Sequence, residues 1–95
     1  MDDRSKLEHL EDLAGKVGLT IRYESLKAEG SLHTGGYCRI KGRDFVIVNK
    51  KASIRDKIHV LAEALKRFDL NHLYVLPSLR KLLDGEDGKV GDGNG

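Results

Sequence analysis

Residues 37–68, YCRIKGRDFVIVNKKASIRDKIHVLAEALKRF, predict a tight β-hairpin followed by one amphipathic helix. The hairpin signal is Lys41-Gly42-Arg43-Asp44, because glycine at the first central position suits a two-residue type II′ turn. This turn places Lys41 opposite Asp44 and fixes the register of both strands. The predicted pairs are Ile40 with Phe45 and Cys38 with Ile47 on one face, and Arg39 with Val46 and Tyr37 with Val48 on the other.

One face of the predicted hairpin is wholly apolar and the other is mixed. A two-stranded hairpin is only marginally stable in water, so the apolar face needs a cover. The helix that follows can supply it. Ser53 and Asp56 form a variant of the capping box at its start, and we expect it to end near Asp69. We expect this helix to be the most buried one, because it carries a continuous apolar stripe. The stripe consists of Ile54, Ile58, Leu61, Leu65 and Phe68.

The flanking sequence completes an α+β fold. Residues 4–17 predict an amphipathic N-terminal helix that Gly18 terminates, and the alternation in residues 19–24 predicts a strand. Residues 70–76 are compatible with an extended segment or a turn, and Pro77 suits the first position of a short C-terminal helix. We therefore expect helices on one face of a three-stranded sheet, with the hairpin as two of its strands.

Length and composition indicate one domain over residues 1–84 and a disordered glycine-rich tail over residues 85–95. With 39% hydrophobic and 34% charged residues, the chain is ordinary for a folded domain. No apolar run approaches the roughly 20 residues that span a bilayer, and the acidic N-terminus is unlike a secretory signal, so a cytoplasmic location is expected. The single cysteine, Cys38, cannot form an internal disulfide and is predicted to be a buried, inert thiol.

Positive charge is concentrated between residues 39 and 57, although the whole chain carries only +2. Such a cluster could bind nucleic acid phosphates. We favour a solvated polar face whose Lys and Arg side chains protect a strand edge from aggregation, because the pI of about 8.7 is below that typical of nucleic-acid-binding domains. The candidate nucleic-acid residues are Arg39, Lys41, Arg43, Lys50, Lys51 and Arg55.

Signals for metal binding or catalysis are few. His59 and Glu63 are four residues apart on one flank of the main helix, and with His33, His72 or Cys38 they could be zinc ligands. The simpler interpretation is a boundary histidine paired with Glu63. No cofactor is expected, because no phosphate-binding or dinucleotide fingerprint is present.

Three segments together resemble the core of ImmA/IrrE-like zinc metallopeptidases. In its general character the chain resembles small bacterial proteins. They are GLTIRYESL (18–26), GGYCRIKGRDFVIVNKKAS (35–53) and KIHVLAEALKRF (57–68), about half of the chain. The resemblance implies a strand, a hairpin that ends in an Asn, and a helix that bears HExxH. In the aligned helix, however, Glu63 replaces the first zinc ligand, Ala64 the general base and Arg67 the second ligand. The resemblance thus implies a scaffold that could offer a peptide-binding sheet edge, without zinc or catalysis.

Three functions follow as expectations. The first is a non-catalytic protein-interaction or regulatory module that binds an unknown protein partner through a strand edge and the loop around His33, by β-augmentation. Tyr37, on the mixed face of the hairpin, is a further candidate contact. The second is nucleic-acid binding by the basic residues, and the third, least favoured, is a metal-dependent hydrolase around His59 and Glu63.

Overall fold

The computed structural model describes residues 1–26 and 34–84 and confirms the α+β class. The predicted loop around His33 and the glycine-rich tail lie outside the described residues. The elements, in chain order, are α1 (Asp3–Val17), β1 (Thr20–Glu24), β2 (Gly35–Ile40), β3 (Arg43–Asn49), α2 (Ile54–Leu65) and α3 (Pro77–Leu83).

The three strands form a mixed sheet with β3 in the centre. The strand order is β1-β3-β2, with β1 parallel and β2 antiparallel to β3. This order leaves β1 and β2 as the two edges. Strand β2 begins at Gly35 and Gly36, two residues before the segment 37–68 that predicts the hairpin.

The predicted hairpin turn is wrong by one residue. Ile40 pairs with Arg43, and the two central residues are Lys41 and Gly42, with φ angles of 51° and 78°. Positive φ at both central positions defines a type I′ turn, in which glycine takes the second place instead of the first. The cross-strand partners therefore differ from the prediction: Arg39 lies opposite Asp44, Cys38 opposite Phe45, and Tyr37 opposite Val46.

The hairpin also packs by the opposite face from the one predicted. Val46 and Val48 of the mixed face are fully buried, whereas Ile40 of the apolar face is 47% exposed. Strand β1 explains why this face is buried. Its partners in the register place Ile21 beside Val46, while Thr20, Arg22 and Glu24 share the face of Phe45 and Ile47. Only one face of β1 can be buried without burying charge, and β3 must present its valines on that same side.

Cys38 lies on the face that the core does not use, and its side chain is partly exposed instead of buried as predicted. The hydrophobic core forms where α1 and α2 cover the other face of the sheet. Its largest fully buried apolar side chains are Leu10, Leu61, Leu65, Leu79, Val46 and Val48.

The helix ends follow the predicted chemistry. Asp2 accepts a hydrogen bond from the backbone N–H of Ser5 at the start of α1, and Gly18 ends that helix with a φ of 82°. The Ser53 hydroxyl accepts from the N–H of Asp56 at the start of α2. Six of the twelve residues of α2 are buried, so it is the most buried helix, as expected.

Helix α2 is shorter than predicted, because it ends at Leu65 and not near Asp69. The N–H groups of Arg67 and Phe68 bond three residues back, which tightens the chain into a turn. The segment 70–76 is irregular and takes no part in the described sheet. Leu70 and Val75 are buried, so the segment closes the core before α3 begins at Pro77.

Candidate functional site

A cleft of about 280 Å³ separates the first half of β2 from one flank of α2. One wall is mainly the backbone of β2, and the other is one flank of α2 together with the turn that follows it. The residues that line it are Thr34, Gly35, Gly36, Tyr37, His59, Val60, Glu63, Ala64 and Arg67. Because β2 is an edge strand, this cleft opens beside backbone groups that the sheet does not use.

The register identifies which backbone groups point outward. The N–H of Asn49 donates to the carbonyl of Thr34 at 3.0 Å, so this pair is hydrogen-bonded across the ladder. Antiparallel ladders alternate bonded and non-bonded pairs. Gly35, Tyr37 and Arg39 are therefore in non-bonded pairs and direct their N–H and C=O groups away from β3. No other strand in residues 1–26 or 34–84 pairs with this edge.

The start of β2 requires glycine. Gly35 has a φ of +123°, and a Cβ there would lie 2.0 Å from the carbonyl oxygen of Ile47. At Gly36, by contrast, a Cβ would have no atom within 4 Å. This end of the cleft is therefore walled by bare backbone, which a second extended chain can approach closely.

Tyr37 and Arg67 form the other end of the cleft. The Arg67 guanidinium carbon lies 4.4 Å from the centre of the Tyr37 ring, in a cation–π arrangement. The Tyr37 hydroxyl donates to the Asp44 carboxylate, which also accepts from Arg39 at 3.3 Å. The hydrogen bond to Asp44 raises the pKa of Tyr37 above its usual value. The hydrogen bond to Asp44 therefore orients the Tyr37 ring, and the cation–π contact positions the Arg67 guanidinium over it.

Glu63 lies between His59 and Arg67 on the helix flank, but its hydrogen-bond partner is Lys66, at 2.8 Å. That bond lowers the pKa of the Glu63 carboxyl, with a smaller contribution from His59. The expected pairing of His59 with Glu63 is thus replaced by the Lys66 ion pair. Ala64, behind Glu63, is buried and forms the apolar floor of the cleft.

No three His, Cys, Asp or Glu side chains in the described ranges lie close enough to hold a metal ion. His59 and Glu63 therefore lack a third ligand from this part of the chain. His33, another of the candidate ligands, is not among the described residues.

The structure divides the basic residues of the nucleic-acid hypothesis into two groups. Arg39, Lys41 and Arg43 lie at the hairpin turn, and Lys50, Lys51 and Arg55 lie at the far end of β3 and the start of α2. All six are exposed. The seven residues of β3 separate the groups by about 20 Å. They do not form one continuous patch.

Among the cleft residues, the sequence predicts Tyr37 as a contact and His59 and Glu63 as candidate ligands. It identifies Arg67 only as the replacement of a ligand and does not single out Gly35. The spacing of His59, Glu63 and Arg67 predicts that all three lie on one side of the main helix, and they do line the same cleft although α2 ends two residues before Arg67. The strand order could not be predicted from the sequence, since the hairpin alone does not show which of its strands is an edge.

Among the helices that the structure describes, none has both the length and the apolar character needed to cross a membrane. Comparison of the chain with models of protein families, with curated proteins and with solved structures finds no match.

Proposed function

We propose that this chain is a non-catalytic, cytoplasmic protein-interaction module that binds an extended peptide segment of a partner protein by adding it as a fourth strand to β2. The observation that carries the proposal is the edge position of β2 beside the cleft. The outward backbone groups of Gly35, Tyr37 and Arg39 can supply the hydrogen bonds, and the cleft can take alternate side chains of the peptide. In β-augmentation, backbone hydrogen bonds of this kind provide affinity, and pockets for alternate side chains provide specificity.

The residue types in the cleft favour binding over hydrolysis. Glu63, Ala64 and Arg67 occupy the positions that would be HExxH in an ImmA/IrrE-like enzyme, and all three line the cleft. Zinc hydrolysis needs two imidazoles one helical turn apart and a carboxylate that takes a proton from water. With glutamate, alanine and arginine there, a peptide in this cleft would be held without being cleaved.

The test starts from a phage-displayed library of random linear nonapeptides selected on the intact chain. Selected peptides are synthesised, and their binding is mapped by amide chemical shifts. We expect the largest shifts at residues 35–39 and along the α2 flank of the cleft. Stoichiometric zinc together with peptide hydrolysis by the purified protein would contradict the proposal.

A pair of variants separates backbone pairing from side-chain contacts. Arg39→Pro removes an outward N–H that the internal ladder does not use, so the sheet should tolerate it. Arg39→Ala removes the same side chain and its ion pair with Asp44 but keeps the N–H. We expect Arg39→Pro to weaken peptide binding about tenfold relative to Arg39→Ala. Equal affinities, or shifts centred elsewhere, would show that β2 does not accept the peptide.

A further inference from the structure

We infer that Arg67 is a receptor for a carboxylate of the bound peptide, so that the cleft selects extended segments with an acidic group at one defined position. This inference rests on the proposed function and specifies the chemistry of the partner. It starts from Arg67, a cation in the cleft that has no ion pair with a carboxylate of residues 1–26 or 34–84.

Arg67 is held differently from the three arginines that have a carboxylate partner. Arg22, Arg39 and Arg55 each pair with a carboxylate, at 3.0, 3.3 and 3.7 Å. Arg67 has no ion pair with any residue in the described ranges, and its guanidinium lies over the Tyr37 ring inside the cleft. An arginine on an aromatic face keeps its planar fork of N–H donors free for a carboxylate.

The nearby acids are already engaged. Glu63, in the last turn of α2 and four residues before Arg67, accepts a hydrogen bond from Lys66. Asp44, at the hydroxyl end of the Tyr37 ring, accepts from the Tyr37 hydroxyl and from Arg39. The same contacts fix the orientation of the ring, so the guanidinium is preorganised at little entropic cost on binding.

The register of an added strand brings one peptide side chain to Arg67. Tyr37 directs its backbone groups outward, so it would form a hydrogen-bonded pair with a peptide residue about 5.5 Å away between Cα atoms. Directly opposed residues point to the same face of a sheet. An Asp or Glu at that peptide position would enter the cleft beside Tyr37 and Arg67. A peptide that ends there would present its terminal carboxylate instead.

The nonapeptides selected on the intact chain provide the probes. We expect them to carry Asp or Glu at the position that pairs with Tyr37, or to end there. Each peptide is made with Glu, Gln or Lys at that position, and with a free or an amidated C-terminus. Loss of affinity on Glu→Gln identifies a side-chain carboxylate, and loss on amidation identifies a terminal one. Either result supports the inference.

Variants of Arg67 test whether the carboxylate is read by this residue. Against the native chain, removal of the carboxylate should weaken binding about fivefold to twentyfold, and against Arg67→Gln by less than about twofold. Arg67→Glu should invert the preference in favour of the Lys peptide. Arg67→Lys keeps the charge without the fork, so a partial loss is expected. Arg43→Gln is the matched control, because it removes one exposed positive charge at the hairpin turn, outside the cleft.

The inference and the proposed function fail in different ways. Peptides that shift residues 35–39 but bind equally well with Glu and Gln, or respond equally to Arg67→Gln and Arg43→Gln, would overturn the carboxylate site and leave β-augmentation standing. A selection that yields no peptide bound at β2 would overturn both. Thermal melts of each variant verify folding, and the Lys and Gln variants of Arg67 give two independent readings.

Discussion

At the scale of single residues, Gly35 carries the tightest constraint in the sheet. Its φ of +123° is unfavourable for any L side chain, and the carbonyl of Ile47 occupies the space that a Cβ would need. We expect Gly35→Ala to lower the free energy of unfolding by about 2–4 kcal/mol, from backbone strain and the displacement of β3. Gly36→Ala is the matched control, with open space around its Cβ, and should stay within about 0.5 kcal/mol.

Chemical denaturation of both glycine variants measures the difference directly. If the two alanines destabilised the chain equally, the close approach of β2 to the Ile47 carbonyl would be wrong. If only Gly35→Ala is destabilising, the same variant should also weaken peptide binding at β2, because the displaced strand changes the wall of the cleft.

Asn49 shows how a buried polar residue ties the ends of the strands together. It is 1% exposed, and its side-chain oxygen accepts from the N–H of Lys51 at 3.0 Å. Its backbone N–H bonds to Thr34, and its backbone carbonyl accepts from Ala52. Buried polar groups are kept only where they are satisfied, and the partners of Asn49 include Thr34 just before β2, the Leu26 carbonyl after β1 and the turn into α2. Asn49 thus fixes the entrance of β2, next to the cleft.

At the scale of elements, the sequence specified local structure well and pairing poorly. Ser53, Gly18 and Pro77 predicted helix ends correctly, because capping depends on residues within one turn. The hairpin turn was misplaced by one residue, since Lys41 adopts a positive φ that a lysine signals only weakly.

The buried face of the hairpin was mispredicted for a different reason. Judged alone, the face with Phe45 and Ile47 is the more apolar, and burying it is the sensible expectation. The outcome depends on β1, which pairs with β3 from a distant part of the chain and has charge on one side only. The cleft could not be predicted for the same reason, because it exists only where the edge strand and α2 meet.

Tyr23 links three elements and gives a prediction that depends on pH. Its hydroxyl donates to Glu11 of α1, and Lys57 of α2 lies 5.8 Å from the centre of its ring. Partial burial and then the Glu11 bond raise the pKa of Tyr23. The folded state therefore keeps the phenol proton at a pH where the unfolded chain, with an ordinary pKa near 10, loses it. This contribution is complete below about pH 10 and is lost as the pH rises above it.

Tyr23→Phe should consequently cost at most about 1 kcal/mol near neutral pH, because the hydroxyl and its partner are both partly exposed. Between about pH 9 and 11, the variant should lose less stability than the native chain. Urea unfolding across this range measures both effects. Tyr74→Phe, at a side chain that is 77% exposed, controls for the titration of lysines and other groups. A pH dependence for Tyr23→Phe that matches the native chain would exclude the link to Glu11.

At the scale of the whole molecule, the separation of positive charge bears on the nucleic-acid alternative. Two of the six candidate bases have carboxylate partners, since Arg39 pairs with Asp44 and Arg55 with Asp3. The other four lie in pairs at the two ends of β3, about 20 Å apart. One pair can neutralise only about two phosphates, so each end alone should bind weakly and with a shallow salt dependence.

A true nucleic-acid interface must engage both ends, and this requires an oligonucleotide of at least about six nucleotides at roughly 3.4 Å each. We expect no such length threshold. The anisotropy of labelled single strands of 4, 8, 12 and 20 nucleotides should instead show weak binding that rises smoothly with length at 25 mM salt and disappears by 150 mM. Lys41→Glu with Arg43→Glu at one end, and Lys50→Glu with Lys51→Glu at the other, should each reduce it similarly. A sharp gain between 4 and 8 nucleotides that either double variant abolishes would establish the nucleic-acid function, because only a ligand that bridges the length of β3 would require both ends at once.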